Sequence, residues 1–283
     1  MSKNKIVYIS DFFVNEVLGG GELNDSELLK ILERQVSDIE KIKSNHVTLD
    51  ILKQNKDSNF IISNFINLKK ECKDYITRSC KYVIYEHDHK YLLSRNPAIY
   101  KDYKAPNDQL INLEFYKNSA AVLCQSSFHK SIIQKNLNIE NIINLSGNLW
   151  STESLQIMRV LNNREKKDAF SIMNSSIPHK NTRETVFYCE QKGFEYLLIS
   201  SQNYQEFLSL LSTNNKFIFL PKTPETLSRV VVEARMMGMR TFTNKNIGAS
   251  YEPWYKMKGE ELINIMIDKR TTIPQTILEV FNG

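Results

Sequence analysis

The chain has 283 residues, 41% hydrophobic and 24% charged, with a net charge of +5. That length suits two domains of ordinary size, and the composition excludes a disordered, fibrous or membrane-embedded chain. The small basic excess helps attract phosphates, nucleic acid or an anionic surface without choosing among them. The four cysteines, Cys72, Cys80, Cys124 and Cys189, show no C-x-x-C spacing, so no zinc knuckle or redox motif is visible and reduced thiols in a cytoplasmic protein are expected. The apolar run in the opening MSKNKIVYIS is too short for a signal-peptide core, and no stretch reaches the length of an integral membrane segment.

In chain order, KIVYIS reads as a strand and GELNDSELLKILERQVSDI as a helix. HVTLDIL and NFIISNF read as further strands. KYVIYEHD and AAVLCQS are stronger ones, each followed by a helical pattern, the second being SFHKSIIQKNL. IENIINLS closes this series. SGNLWSTES breaks the pattern. The alternation then resumes with KDAFSIMN (strand), NTRETVFYCEQKG (helix), FEYLLIS (strand), NYQEFLSLLS (helix), KFIFLP (strand), ETLSRVVVEARMMG (helix) and RTFTN (strand). Gly193 and Gly238 are helix stop signals. Strand-then-helix repetition predicts an α/β protein of two doubly wound, Rossmann-like domains, 1–150 and 151–283, with the last helix a candidate to pack back on the first domain.

Ligands of open α/β sheets collect at the carboxyl ends of the strands, so the loops there hold the candidate chemistry. After the first strand, Gly19, Gly20 and Gly21 precede a helix, where backbone N–H groups and the helix N-terminus favour an anion. The spacing is not G-x-G-x-x-G, so the dinucleotide fingerprint is absent. Late in the chain, Glu225 and Glu233 flank an apolar run. Residues eight apart on a helix differ by about 80° in direction, so Glu225 is placed in the loop after KFIFLP and Glu233 about two turns into the helix. A carboxylate among apolar neighbours is costly unless hydrogen-bonded, and ligand hydroxyls would supply such bonds. The plainer alternative is a helix-start glutamate plus a surface glutamate paired with Arg229 or Arg240. In YEHDHKYLLSRNP, a continued strand would put His87 and His89 on one face, with Glu86 and Asp88 on the other. No third ligand stands nearby, so no metal site is expected. His46 reads as a strand entry.

The segment FLPKTPETLSRVVVEARMMGMRTFTNKNIGASYE resembles the donor-binding segment of GT-B glycosyltransferases, especially the retaining family 4 type, with its strand, Pro, E-x7-E, helix ending in Gly, short strand and Gly-containing loop ending in Glu, here Gly248 and Glu252. GGGE resembles the N-terminal glycine loop of the same family, and AAVLCQSSFHK its strand-Ser-helix element. The resemblance implies a GT-B fold and metal-independent transfer of a sugar, with retention, from a UDP- or GDP-sugar to an acceptor hydroxyl. It places Glu225 beside the transferred sugar and gives Glu233 the ribose hydroxyls. Lys180 would neutralise the diphosphate, and Gly20 and Gly21 would give backbone access to the donor. Thr226, Leu227 and Ser228 would offer helix-start amides to the phosphates. His87 or Asp88 would line the site near the acceptor or the sugar. Where the family has an Arg before Lys180, this chain has Asn174 or Ser175, and Arg183 and Arg229 are the candidate replacements.

The acceptor is not fixed by these residues. A glycan, a small molecule, or a modified DNA base as in a phage-type enzyme are the candidates. Two other classes fit the same motifs: a non-catalytic nucleic-acid or partner-binding protein on a decayed scaffold, for which the missing Arg speaks, and a sugar-nucleotide epimerase.

Overall fold

The computed structural model describes residues 5–17 and 19–283. Met1–Asn4 of the opening segment and Leu18 of the glycine loop lie outside the described residues. The chain divides into two compact units, Met1–Leu149 with Arg270–Gly283, and Trp150–Lys269.

The first unit runs β1 (Lys5–Ser10), α1 (Gly20–Leu32), β2 (Asp38–Lys43), α2 (Leu49–Gln54), β3 (Asn59–Ile62), α3 (Lys70–Ser79), β4 (Lys81–Tyr85), α4 (Leu113–Lys117), β5 (Ala121–Cys124), α5 (Ser127–Leu137) and β6 (Ile142–Asn144). Its six strands form a parallel sheet in the order β2-β1-β3-β4-β5-β6. Both faces are buried, which is why these strands read as nearly continuous apolar runs. Val7, Ile9, Phe60, Ile62, Ile84 and Val122 point into one cluster with Ile76, Phe115 and Ile133. Their neighbours Ile6, Tyr8, Ile61, Val83 and Leu123 point into another, with Leu28 and Leu32 of α1 and with Ile273, Ile277 and Phe281.

The second unit runs α6 (Thr152–Asn162), β7 (Lys167–Met173), α7 (Thr182–Gln191), β8 (Tyr196–Ile199), α8 (Tyr204–Leu211), β9 (Asn214–Phe219), α9 (Arg229–Met236) and β10 (Arg240–Thr243). The strands form a parallel sheet in the order β10-β9-β7-β8. The larger core lies on the face of Phe217 and Phe219, with Leu155, Leu208, Val231 and Ile263. On the other face Phe170, Ile172, Cys189 and Ile218 form a small cluster. Helix α10 (Glu260–Asn282) begins in the second unit and ends in the first. Among the described residues no helix is long and apolar enough to cross a membrane.

Local chemistry explains the boundaries. Thr48, Ser126, Ser151 and Asn203 cap α2, α5, α6 and α8, their side chains accepting backbone N–H groups inside the first turn. The stop signals sit where expected, Gly193 and Gly238 both in the left-handed region at φ +64° and +78°. Three expectations fail. HVTLDIL is not a strand: Ser44–His46 is a 3-10 turn and Thr48 starts α2, so His46 lies in that turn rather than at a strand entry. The first helix ends at Leu32, and DIEKIK, read as part of its tail and beyond, is the edge strand β2. An edge strand tolerates charges that blur its alternation. Finally, β4 stops at Tyr85 with no helix directly after it.

Candidate functional site

In the second unit, the loops after β7, β9 and β10 are tied into one surface at the carboxyl edge of the sheet. The Lys222 amide donates to the His179 carbonyl (2.9 Å). Asn181 donates to the Leu220 carbonyl, and Asn244 and Asn246 both donate to that of Pro221. Glu225 bridges to Ile247 through bonds to Asn246 and Gly248. On this surface Lys180, at the end of a 3-10 turn, donates to both carboxylate oxygens of Glu225 at 2.8 and 3.0 Å. Both side chains keep partial exposure, 24% and 15%. The ammonium also lies 5.8 Å from the centre of the Phe219 ring. The carboxylate and the aromatic face together fix the partly exposed ammonium on this surface.

Glu233 is the fifth residue of α9, closer to the helix start than the two turns expected, and is 2% exposed. Its Oε1 accepts from Trp150 Nε1 (2.9 Å) and from the Tyr204 hydroxyl (2.6 Å), and Arg229 approaches to 3.6 Å. All three partners converge on Oε1. The Arg229 guanidinium stacks over the Trp150 ring at 4.4 Å. Burial, then the Glu233 charge, raises the Tyr204 hydroxyl far above its ordinary range. The surface-glutamate alternative is half right: Arg229 is the partner, but the pair is buried.

Helix α9 starts at Arg229, after Ser228 in the left-handed region at φ +75°. Thr226 and Leu227 therefore precede the first turn rather than opening it. Leu227 is fully buried, and its carbonyl accepts from the Ala249 amide. Arg183 is exposed in the first turn of α7. Asn174 is exposed and Ser175 half-buried, the latter's amide donating to Thr182 Oγ1.

In the first unit the segment after β4 is a turn, so strand alternation does not order its side chains. His87 Nε2 bonds Asp25 Oδ1 at 2.5 Å, and its Nδ1 bonds the Gln125 side-chain amide. Ser63 donates to the other oxygen of Asp25. A carboxylate only accepts, so the ring donates from Nε2 and accepts at Nδ1. The ring packs on Tyr85 at 4.5 Å, and a Cβ added to Gly21 would touch it at 3.6 Å. Gly20 is exposed at the first position of α1. Burial raises the nearby Glu22 carboxyl, and the Asp25 charge adds to the shift.

Glu86, fully buried, accepts from Lys90, Tyr116 and the Asp88 amide. Asp88 pairs with Arg95. Burial works to raise the Asp88 carboxyl, but Lys90, His89 and Arg95 outweigh it and hold the group below its usual range. His89 turns away from His87, buried against Tyr91 and His129. Among the described residues no group of three or more His, Cys, Asp or Glu side chains could hold a metal ion.

The structure thus joins Lys180 to Glu225 and Arg229 to Glu233 in one unit, and His87 to Gly21 in the other. The sequence reading missed Asp25, Ser63, Gln125, Trp150 and Tyr204. Asp25 had a signal: it lies four residues after Gly21, one turn along the same helix face. Trp150 and Tyr204 lie 83 and 29 residues from Glu233, and nothing local points to them.

No family model matches the sequence, and no curated protein matches it. Solved structures do. Anabaena Alr3699/HepE in complex with UDP-glucose matches with a TM-score of 0.53 at 13% identity, over 98% of this chain and 99% of that one. The same protein in complex with UDP and glucose gives 0.55 at 12% identity, over 99% and 100%. The catalytic domain of starch synthase IV from Arabidopsis thaliana bound to ADP and acarbose gives 0.57 at 10% identity, over 99% and 94%. These neighbours are GT-B glycosyltransferases. Likeness at such identities shows the fold: the chain has the GT-B architecture of two Rossmann-like domains.

Proposed function

We propose that this protein is a retaining, metal-independent glycosyltransferase of the family 4 type, using a UDP- or GDP-sugar as donor and the hydroxyl of a glycan, a small molecule or a modified DNA base as acceptor. The observation that carries this reading is the Lys180–Glu225 pair on the stitched loops at the carboxyl edge of the second sheet. In a GT-B fold that edge is where an anionic ligand is met. Lys180 would leave Glu225 for the donor diphosphate and offset the charge that grows as the diphosphate departs. Glu225, released, would accept from hydroxyls of the transferred sugar. Glu233, fixed through Oε1 by Trp150 and Tyr204, would turn Oε2 to the ribose. Gly20 and Gly21 would offer backbone amides to a donor, the role the resemblance gives them. Arg229 is the more buried of the two cations, 9% exposed against 24% for Lys180, which favours Lys180 as the diphosphate partner.

In the proposed same-face displacement the departing diphosphate takes the acceptor proton, and His87, held by Asp25 and Gln125, would orient the acceptor.

The test is thermal stability against a panel of UDP- and GDP-sugars. A donor at about 100 times its Kd adds roughly 2.7 kcal/mol to the folded state, and Lys180→Ala should remove that gain. Product anomeric configuration by NMR, with and without chelator, then tests retention and metal independence. No stabilisation by any donor would favour the non-catalytic scaffold, the reading to which Asn174 and Ser175 in place of an Arg point.

A further inference from the structure

Glu86 and Lys90 form an ion pair sealed from water: the glutamate side chain is 0% and the lysine side chain 2% exposed. Taking two charges out of water costs more than their attraction returns unless further bonds satisfy them, and apolar residues of similar volume often serve as well or better. The surroundings here would suit apolar residues. Phe65, Tyr91 and Tyr116 belong to the core of the first unit, and the Lys90 ammonium lies 5.5 Å from the centre of the Phe65 ring. Stability alone therefore does not explain the pair.

The Glu86 carboxylate accepts three bonds. Lys90 and the Asp88 amide (2.9 Å) share Oε1, and Tyr116 donates to Oε2. Burial, then the Glu86 charge, raises the Tyr116 hydroxyl far above its ordinary range and keeps its proton in place. The Asp88 bond spans a single residue, His87. On the other side of that residue the Glu86 amide donates to the Leu123 carbonyl (2.9 Å), which continues the pairing of β4 with β5. Farther along, the Asp88 carbonyl accepts from His129 Nε2 (3.0 Å), and the Lys90 carbonyl accepts from the Asn112 side chain (2.9 Å). The backbone around His87 is thus tied to the sheet, to α5 and to the residue before α4. The partners of the ring come from elsewhere, Asp25 of α1 and Gln125 after β5. A ring meets two such partners at once only from a fixed backbone.

We propose that Glu86, with Lys90 and Tyr116, is a positioning cluster that clamps this turn so that His87 faces Asp25 as one tautomer, with its proton on Nε2. The use of that order, to orient an acceptor, rests on the function proposed above, whereas the clamp itself does not. An ionised acceptor makes the bond to the Asp88 amide stronger than a neutral one would. Apolar replacements would fill the same space and release that amide.

Nitrogen-15 NMR of the histidine rings tests the proposal without any substrate. The parent should show His87 as one neutral tautomer, protonated on Nε2. Glu86→Met/Lys90→Met/Tyr116→Phe exchanges the cluster for apolar groups of similar volume. It should keep the β4 and β5 amides protected from hydrogen exchange, yet speed exchange of the Asp88 amide at least about tenfold and give His87 signals averaged over two tautomers. Glu86→Gln should do the reverse. A carboxamide oxygen still accepts from Asp88, so the single tautomer stays, while the stranded Lys90 charge lowers protection of the sheet. A triple variant that fails to fold, or that folds with the His87 spectrum unchanged, overturns the proposal, and so does a Glu86→Gln protein that loses the single tautomer. Stabilisation by the panel of UDP- and GDP-sugars is read separately. If none of them stabilises the parent, the transferase reading falls, while the His87 spectrum still decides the positioning.

Discussion

Glu233→Leu isolates the buried centre of the second unit. The substitution leaves the Trp150 N–H, the Tyr204 O–H and the Arg229 guanidinium facing a side chain that accepts nothing, at a site where Trp150 is fully buried and the Arg229 side chain is 9% exposed. Breaking a buried charge pair from one side costs about 3–5 kcal/mol. Two hydrogen bonds to a charged acceptor, at roughly 1.5–3 kcal/mol each, describe the same loss. For a unit of this size the Tm should fall by roughly 12–20 °C. The chain's two tryptophans are Trp150 and Trp254, both in the second unit, so fluorescence-detected urea unfolding follows that unit without assuming two-state behaviour of the whole chain. Adding Arg229→Met should restore at least half the loss, because an apolar replacement removes the stranded charge while still covering the Trp150 ring. Glu233→Leu within about 1 kcal/mol of the parent would refute the reasoning, and Glu233 would then belong to the ligand more than to the fold.

Three further outcomes are expected. Asp25→Asn replaces one of the two carboxylate oxygens shared by His87 and Ser63 with an amide donor, so one of the two bonds is lost; under the proposed transfer kcat should fall by roughly a hundredfold while donor affinity holds, and equal losses in both would refute a positioning role. Acid should weaken the first unit: burial lowers the His89 pKa to about 4, and that of His129 falls too, while among the described residues His89 Nε2 has no partner to receive a proton's bond. From about pH 6.5 down to 4 the unfolded chain takes up protons that the folded chain refuses, so stability falls across that window by on the order of 3 kcal/mol for His89 and levels off below it, as urea midpoints against pH should show. Gly238→Ala combines φ +78° with a Cβ 2.5 Å from Asn162 Oδ1, whereas Gly193→Ala, at φ +64°, meets nothing within 4 Å; by thermal denaturation the first should cost about 2 kcal/mol and the second about 1.

The alternation of strands and helices was legible because most strands here are buried on both faces, which writes short apolar runs into the chain. Where one side is open the pattern fades: β2 carries Asp38, Glu40, Lys41 and Lys43, and only its first two residues were read at all, as the tail of a helix. HVTLDIL failed for another reason, since its β-branched residues outweighed the cap signal of Thr48. Of the candidate site, Glu225 could be placed because it lies in a loop after a strand, where the fold gathers ligands, whereas Lys180 was named only through the family resemblance. The partners of Glu233 and His87 could not. Trp150 and Asp25 arrive from 83 and 62 positions away, and such meetings are set by tertiary packing alone. The start of α9 was misplaced because it depends on the left-handed Ser228, a conformation that no serine advertises.

The first unit is built from two separated stretches of chain. Residues 270–283 contribute Ile273, Ile277 and Phe281 to its core, the Arg270 pair with Glu27, and a backbone carbonyl for Lys81. On the ribosome, synthesis therefore reaches the whole of the second unit before the first can close its sheet face. The earlier-made unit must wait, with the apolar side of α1 and β1 open, until α10 emerges, and that interval is where a chaperone would find this chain.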